Sequence, residues 1–321
     1  MVSVHYLKYT AIAIVFAAVL ALLEWGYIRI ARRYHIGTTV PDGDGGARKR
    51  FVAVGGGFIF ILAAVIAVAF YPAIDPYLIN VYMYVGGGAL LAVMSYADDL
   101  VHLSPRLRLA VHVVVTALVL YMLPFDGRWW LYAVAVVACT GYINASNFMD
   151  GSNGMLALYS AVVLASLVAV HPTVICVALL VAVAVFAVFN CRTRALVYSG
   201  DVGSITLGFF IATTMVYYIL LYGQYSMAVF VAVFLVDTFC TFAERLVRGD
   251  NVLLPHHRHL YQRLIRGGCP QLAVAAVYAG VQLAVNAGWF VLPQQWRAAY
   301  AVAVALVLLA LYIITRSRYK A

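Results

Sequence analysis

Four short polar stretches carry most of the side chains able to do chemistry in this 321-residue chain. Asp98 and Asp99 are adjacent in SYADDL. Neighbouring helical residues point about 100° apart, so one carboxylate can face a metal or a phosphate proton while the other orients a basic partner; a solvated helix end is the plainer use. In NASNFMDGSNGM, Asn144, Asn147, Asp150 and Asn153 recur every three residues, which on a helical turn puts them roughly along one face. That polar stripe suits a hard cation and a nucleotide, with capping of the next helix as the alternative. In SGDVGSITLG, Asp201 stands between Gly200 and Gly203 at the start of an apolar run. Glycine turns and a helix N-terminus favour a phosphate, and a carboxylate beside a phosphate implies Mg2+ between them. His256, His257, Arg258, His259 and Arg263 crowd the stretch PHHRHLYQRL. They are donors suited to a pyrophosphate or to sugar hydroxyls. Zinc fits less well, with no cysteine nearby and no HExxH, and attraction to anionic lipid headgroups is the competing use. Together these groups are the components of phosphoryl transfer.

The elements that must hold these stretches are apolar. The chain is 65% hydrophobic and 10% charged, with a mean hydropathy of +0.96; a soluble domain carries about 25% charged residues. An all-α, polytopic membrane protein is expected, forming a single integral-membrane domain over 1–321. Cutting the apolar runs at polar residues, Gly and Pro predicts about eleven transmembrane helices near 9–30, 51–71, 79–97, 107–123, 129–143, 155–170, 173–190, 203–221, 227–243, 271–292 and 297–315. Alternating the connections between two sides puts 18 Lys and Arg on one side and 3 on the other. The positive-inside rule then makes the first side cytoplasmic, the N-terminus external and the C-terminus cytoplasmic. Asp98, Asp99, Asp150 and Asp201 fall on that same side, Asp75 and Asp126 opposite, and Glu24 and Asp237 within spans. The net charge of +9 therefore reports topology rather than nucleic-acid binding. Five scattered cysteines without a CxxC pair predict neither a disulfide framework nor a zinc site. The first apolar run lacks a small-residue cleavage signature and reads as a retained span.

ADD at 97–99, NAxNFMDGxNG at 144–154, GDVGS at 200–204 and PxxxHLYQRL at 255–264 together resemble the polytopic polyprenyl-phosphate N-acetylhexosamine-1-phosphate transferases, most closely the O-antigen-type branch. The resemblance implies transfer of a sugar-1-phosphate from a UDP-N-acetylhexosamine to undecaprenyl phosphate, with release of UMP. It also implies dependence on Mg2+, with Mn2+ as a substitute, and a multi-pass place in the bacterial inner membrane with the active site facing the cytoplasm. A homodimer is compatible with it, and nucleic acid is not a partner. By motif position, Asp201 and Asn147 would bind the metal, while Asp98, Asp99 and Asp150 would be catalytic. Asn144, Asn153, Arg108, Arg194, His256, His257, Arg258 and His259 would bind substrate. Of these, Asn153 would help hold the nucleotide and Arg108 the lipid phosphate.

The chain departs from the family pattern where Phe51-Val52-Ala53-Val54 precede Gly55-Gly56-Gly57, in place of a Pro-Thr-Pro-Arg stretch. The contact usually made by that arginine would then be lost, or supplied by Arg48, Lys49 or Arg50. Two competing functions remain: the lipid I enzyme, against which Asn153 and HLYQ argue, and a transporter, for which only Glu24 and Asp237 are midspan candidates.

Overall fold

The structure, a computed structural model, describes residues 2–41, 49–70, 81–101, 103–252, 254 and 256–319. Arg48, Asp42, Asp44, Asp75 and Lys320, which entered the topology reading, lie outside them, as do the side chains of Lys8 and Asp99. The elements run α1 (Val2–Arg33), β1 (Gly37–Pro41), β2 (Lys49–Val54), α2 (Phe58–Phe70), α3 (Val81–Val101), α4 (Pro105–Leu120), α5 (Trp129–Met149), α6 (Met155–Val170), α7 (Val174–Asn190), β3 (Val197–Tyr198), α8 (Gly200–Tyr222), a 3-10 segment (Tyr225–Val231), α9 (Ala232–Val247), α10 (Leu260–Arg266), α11 (Gln271–Val291) and α12 (Gln294–Arg318). Among the described residues, six helical stretches are long and apolar enough to cross a membrane, and three shorter apolar helices accompany them. The protein is thus predominantly helical and membrane-like.

Helix α8 is the axis of the bundle. Most of it is buried, whereas α1 and α12 lie at the periphery with few buried residues. It packs on α5 and α3, while α6 joins α7 to α11. Close approach to α5 is possible because Gly208 has no side chain: a Cβ there would stand 2.8 Å from Ser146 Oγ and 3.2 Å from Ile143 Cα. Small residues at helix contacts are the usual device where lipid gives no hydrophobic force between helices. Polar pairs add to the packing. Tyr159 donates to Gln282 Oε1 at 2.7 Å, Gln282 to Asn286 Oδ1 at 2.6 Å, and Asn286 to Ser166 Oγ at 2.8 Å, tying α6 to α11.

Three local findings depart from the sequence reading. The apolar run FVAV, expected to begin the second span, is strand β2. It pairs antiparallel with β1 from Gly37–Ala53 to Pro41–Lys49 and parallel with β3 at Ala53–Val197. A short apolar run bounded by glycines does not distinguish strand from helix by periodicity. The Asn/Asp stripe is not continuous either, since α5 ends at Met149 and Asp150 is its C-cap residue. Only Asn144 and Asn147 share the helix. The expected loop after α9 contains the additional helix α10.

Strand β3 delivers the chain to α8, and a glycine turn locks it there. The N–H groups of Gly55 and Gly56 both donate to Tyr198 O, and Gly57 N–H donates to Ser199 O. A Cβ on Gly57 would lie 2.1 Å from Gly203 Cα, so the start of α2 rests directly on the first turn of α8. Gly57→Ala is expected to destabilise the protein by about 1–3 kcal/mol through overpacking. Gly86→Ala, where a Cβ meets nothing within 4 Å, should leave the melting temperature in detergent unchanged.

Candidate active site

The first residues to converge sit at the ends of three helices. Asp98 is in the last turn of α3 and nearly buried, and its Oδ1 accepts the Leu103 N–H at 2.7 Å, fixing the turn into α4. Helix α4 begins with Ser104 accepting from Leu107 N–H and Pro105 in its first turn, a common helix start. One turn in, Arg108 Nη1 lies 2.8 Å from Asp98 Oδ2 and 3.4 Å from Asp201 Oδ2. A single guanidinium therefore bridges two carboxylates whose chain positions are 103 residues apart. Asp201 occupies the first turn of α8, where the helix dipole favours a negative charge. Asn147 Nδ2 donates to Asp201 Oδ1 at 2.9 Å and to Ser204 Oγ at 3.1 Å.

Asp150 closes the group. Its carboxylate accepts the Ser199 hydroxyl, one residue before the glycine that opens α8. Burial pushes its pKa up to about 8; the Ser199 hydrogen bond opposes that rise and the charge of Asp201 adds to it. The carboxyl is set to retain a proton near neutral pH.

These groups adjoin a cavity of about 650 Å3. Arg108, Asn144, Asn147, His256, His257 and Gln262 supply polar lining, while Leu109, Ile205, Leu235, Phe239, Phe242 and Leu254 make an apolar wall. Its size is that of a small-molecule site, and its mixed polar and apolar lining suits an amphiphile together with a water-soluble partner. The donor set also fits a hard cation. Asp201 is partly exposed beside the cavity, and Asn147 spends its Nδ2 on Asp201 and Ser204, leaving the carboxamide oxygen for a cation. Mg2+ commonly takes few protein oxygens and fills its octahedron with phosphate and water.

The histidine loop is held by buried ion pairs and caps. Asp237, 2% exposed in α9, accepts the N–H groups of Leu260 and Tyr261 and the Tyr278 hydroxyl. His259 Nδ1 lies 3.4 Å from Asp237 Oδ1, an electrostatic contact rather than a well-formed hydrogen bond. Its ring stacks on Phe148 and neighbours His256, with centroids 5.9 and 4.8 Å away. The His259–Gln262 capping box starts α10, and Tyr261 donates to Phe148 O at 3.0 Å. Glu244, buried in α9, gathers Arg248, Arg263 and Arg316 at 2.6, 2.9 and 2.6 Å. Arg245 donates to the carbonyls of Asn251, Val252 and Leu254.

The sequence-predicted residues thus divide. Asp98, Arg108, Asn147, Asp150 and Asp201 converge, and Asn144, His256, His257 and His259 line the adjoining cavity. Arg258 pairs instead with Asp250. Asn153 is buried, and its Nδ2 donates to Arg192 O at 2.8 Å and Thr193 O at 3.4 Å. In this conformation it holds the α7–β3 loop, on which Arg194 is exposed. Arg50 donates to Ala195 O at 2.7 Å, so it ties the hairpin to the same loop. Sequence reasoning missed the supporting roles of Ser199, Ser204, Glu244 and Arg245, and it missed His112 altogether. The i, i+4 spacing of Arg108 and His112 was the available signal for the last of these.

Fold and site define a helical, membrane-like protein in which Arg108, paired with Asp98 and Asp201, and histidines line one partly apolar cavity. Residues 81–219 match the model of Glycosyl transferase family 4, a similarity that agrees with the motifs read from the sequence. The family indicates a polyprenyl-phosphate sugar-phosphate transferase. The matched segment contains Asp98, Arg108, Asn147, Asp150 and Asp201. No curated protein matches the chain.

The histidine loop has a measurable electrostatic consequence. The His256 pKa is lowered to about 4, first by burial and then by the positive neighbours His259, Arg245, Arg258 and His257. An unfolded histidine titrates near 6.5, so between those values the unfolded chain binds a proton that the folded one does not. Stability should therefore fall as pH drops through that window. Between pH 7 and pH 5 the melting temperature of wild type should lose ground relative to that of His256→Gln, whatever the other groups contribute; identical pH slopes would contradict the assignment.

Proposed function

We propose that the protein transfers a sugar-1-phosphate from a UDP-N-acetylhexosamine to undecaprenyl phosphate, releasing UMP. The observation that carries this reading is the Arg108 bridge between Asp98 and Asp201, beside a cavity lined by both polar and apolar side chains. The reaction exchanges one P–O bond for another: an acceptor phosphate oxygen bonds to the β-phosphorus of the donor, and the bond to the oxygen shared with the α-phosphorus breaks.

Arg108 binds the acceptor phosphate, with Asp98 fixing the guanidinium so that little ordering remains to be paid on binding. Asp99 belongs to the same pair by motif. Asp201 and Asn147 would hold Mg2+, for which Mn2+ can substitute, and Mg2+ would neutralise charge on the departing nucleotide phosphate. Asp150 holds a proton at its carboxyl and would return it to the phosphate groups. Asn144, His256, His257 and His259 offer donors and acceptors to the sugar and pyrophosphate. Asn153 and Arg194 would act on the nucleotide from the α7–β3 loop, and Arg258 would reach the site on leaving Asp250. The two-step alternative, through a phosphorylated aspartate, is separable by pre-incubation with labelled UDP-sugar in the absence of lipid: direct attack leaves no stable label on the protein.

The same reading puts the protein in a bacterial inner membrane, with eleven spans, the N-terminus outside and the C-terminus and active site cytoplasmic. What supports this is the division of 18 Lys and Arg against 3 between the two sides. The chain would act as one domain, and a homodimer is consistent with it.

UMP release by purified protein, with undecaprenyl phosphate, Mg2+ and a panel of UDP-sugars, tests the proposal and identifies the donor. Turnover should require the lipid, and Asp201→Asn should lower it by about a hundredfold or more. Asp126→Asn, at an exposed left-handed position in the α4–α5 turn, should keep the wild-type rate. Full activity of Asp201→Asn at ordinary Mg2+ would refute the metal assignment.

A further inference from the structure

His112 has no role in the reaction described so far. It lies on α4 four residues after Arg108, on the same helical face and about 6 Å further along the axis. It is 2% exposed, and neither ring nitrogen has a hydrogen-bond partner among the described residues. Its side chain nevertheless lines the 650 Å3 cavity, together with Arg108 and Leu109 of the same helix. Burying a polar group without a partner costs about 1–3 kcal/mol, and such groups are few in native proteins. An imidazole left in this condition on a cavity wall has a partner available only from what enters the cavity.

The position of His112 narrows the chemistry of that partner. Arg108 puts a charge on the cavity wall, and His112, one turn further along α4, shares that wall with the apolar side chains of Leu109, Ile205 and Phe239, so charged and apolar lining meet in the one cavity. Such a boundary matches the point in an amphiphile where an anionic head joins a hydrocarbon chain. A nucleotide has no such junction, and its phosphates would be drawn to Mg2+ where Asp201 and Asn147 hold that ion. We propose that His112 is a second recognition residue for the acceptor lipid, its imidazole N–H donating to an oxygen of the phosphate that Arg108 holds. Arg108 supplies charge. His112 supplies depth, seating the phosphate so that its ester oxygen faces the apolar wall. The inference rests on the reaction proposed above and adds a residue that selects the acceptor.

The test compares His112→Leu and His112→Gln with wild type in detergent micelles. Two quantities are measured: affinity for undecaprenyl phosphate and for undecaprenol, and KM for acceptor and for donor. In His112→Leu, affinity for undecaprenyl phosphate should fall about tenfold or more, as for loss of a hydrogen bond to a charged group. Affinity for undecaprenol, which lacks the phosphate, should not change. Acceptor KM should rise with donor KM unaltered, and His112→Gln, which retains an N–H donor, should recover part of the loss. His112→Leu should also melt no lower than wild type, because no internal hydrogen bond is removed. Unchanged affinity for undecaprenyl phosphate, an equal loss for undecaprenol, or failure of His112→Leu to fold would each overturn the proposal. If wild-type protein shows no turnover with undecaprenyl phosphate, it is the functional reading that fails; turnover by wild type with an unaffected His112→Leu removes this inference alone.

Discussion

Arg108 is shared by Asp98 and Asp201, and that sharing couples the ends of α3, α4 and α8. Two carboxylates held close together without a cation between them would repel, and one would be driven to take a proton. The guanidinium removes that conflict and keeps its remaining N–H groups in a planar fork suited to phosphate. The geometry depends on the turn at Leu103 and Ser104, which sets α4 at its angle, and on the glycine contact between Gly57 and Gly203, which seats α8. Packing far from the cavity therefore fixes where the charges stand.

The other half of the site is positioned by a different device. The histidine loop has few apolar side chains of its own to bury, and two carboxylates of α9 organise it from beneath. Asp237 caps α10 and fixes His259 near Phe148, while Glu244 draws in Arg263 from α10 and Arg316 from α12. Breaking a buried ion pair on one side costs far more than the pair contributes, so these contacts specify the loop's position. Peripheral helix α12 is thereby joined to the cavity through Arg316.

Much of the polar cluster around Arg108 was legible in the sequence because polar residues are few in so apolar a chain. Asp98, Asn147, Asp150 and Asp201 are polar groups at the ends of apolar runs, and only a few uses justify that position. Strand β2 was not legible, because four apolar residues before three glycines satisfy a strand or a span equally. The stripe through Asn153 broke for a related reason: interval-of-three spacing implies a shared face only while the helix continues, and α5 stops at Met149. His112 offered only its i, i+4 spacing from Arg108, and a histidine within an apolar run acquires meaning only when its neighbours in space are known.

A double-mutant cycle on the affinity for undecaprenyl phosphate, combining Asp98→Asn with Arg108→Gln, tests the central claim most directly. If Asp98 holds the guanidinium in place for the acceptor phosphate, the two substitutions should be non-additive, with a coupling energy of about 0.5–3 kcal/mol. Additive effects, or an Arg108→Gln variant that binds the lipid as tightly as wild type, would contradict it.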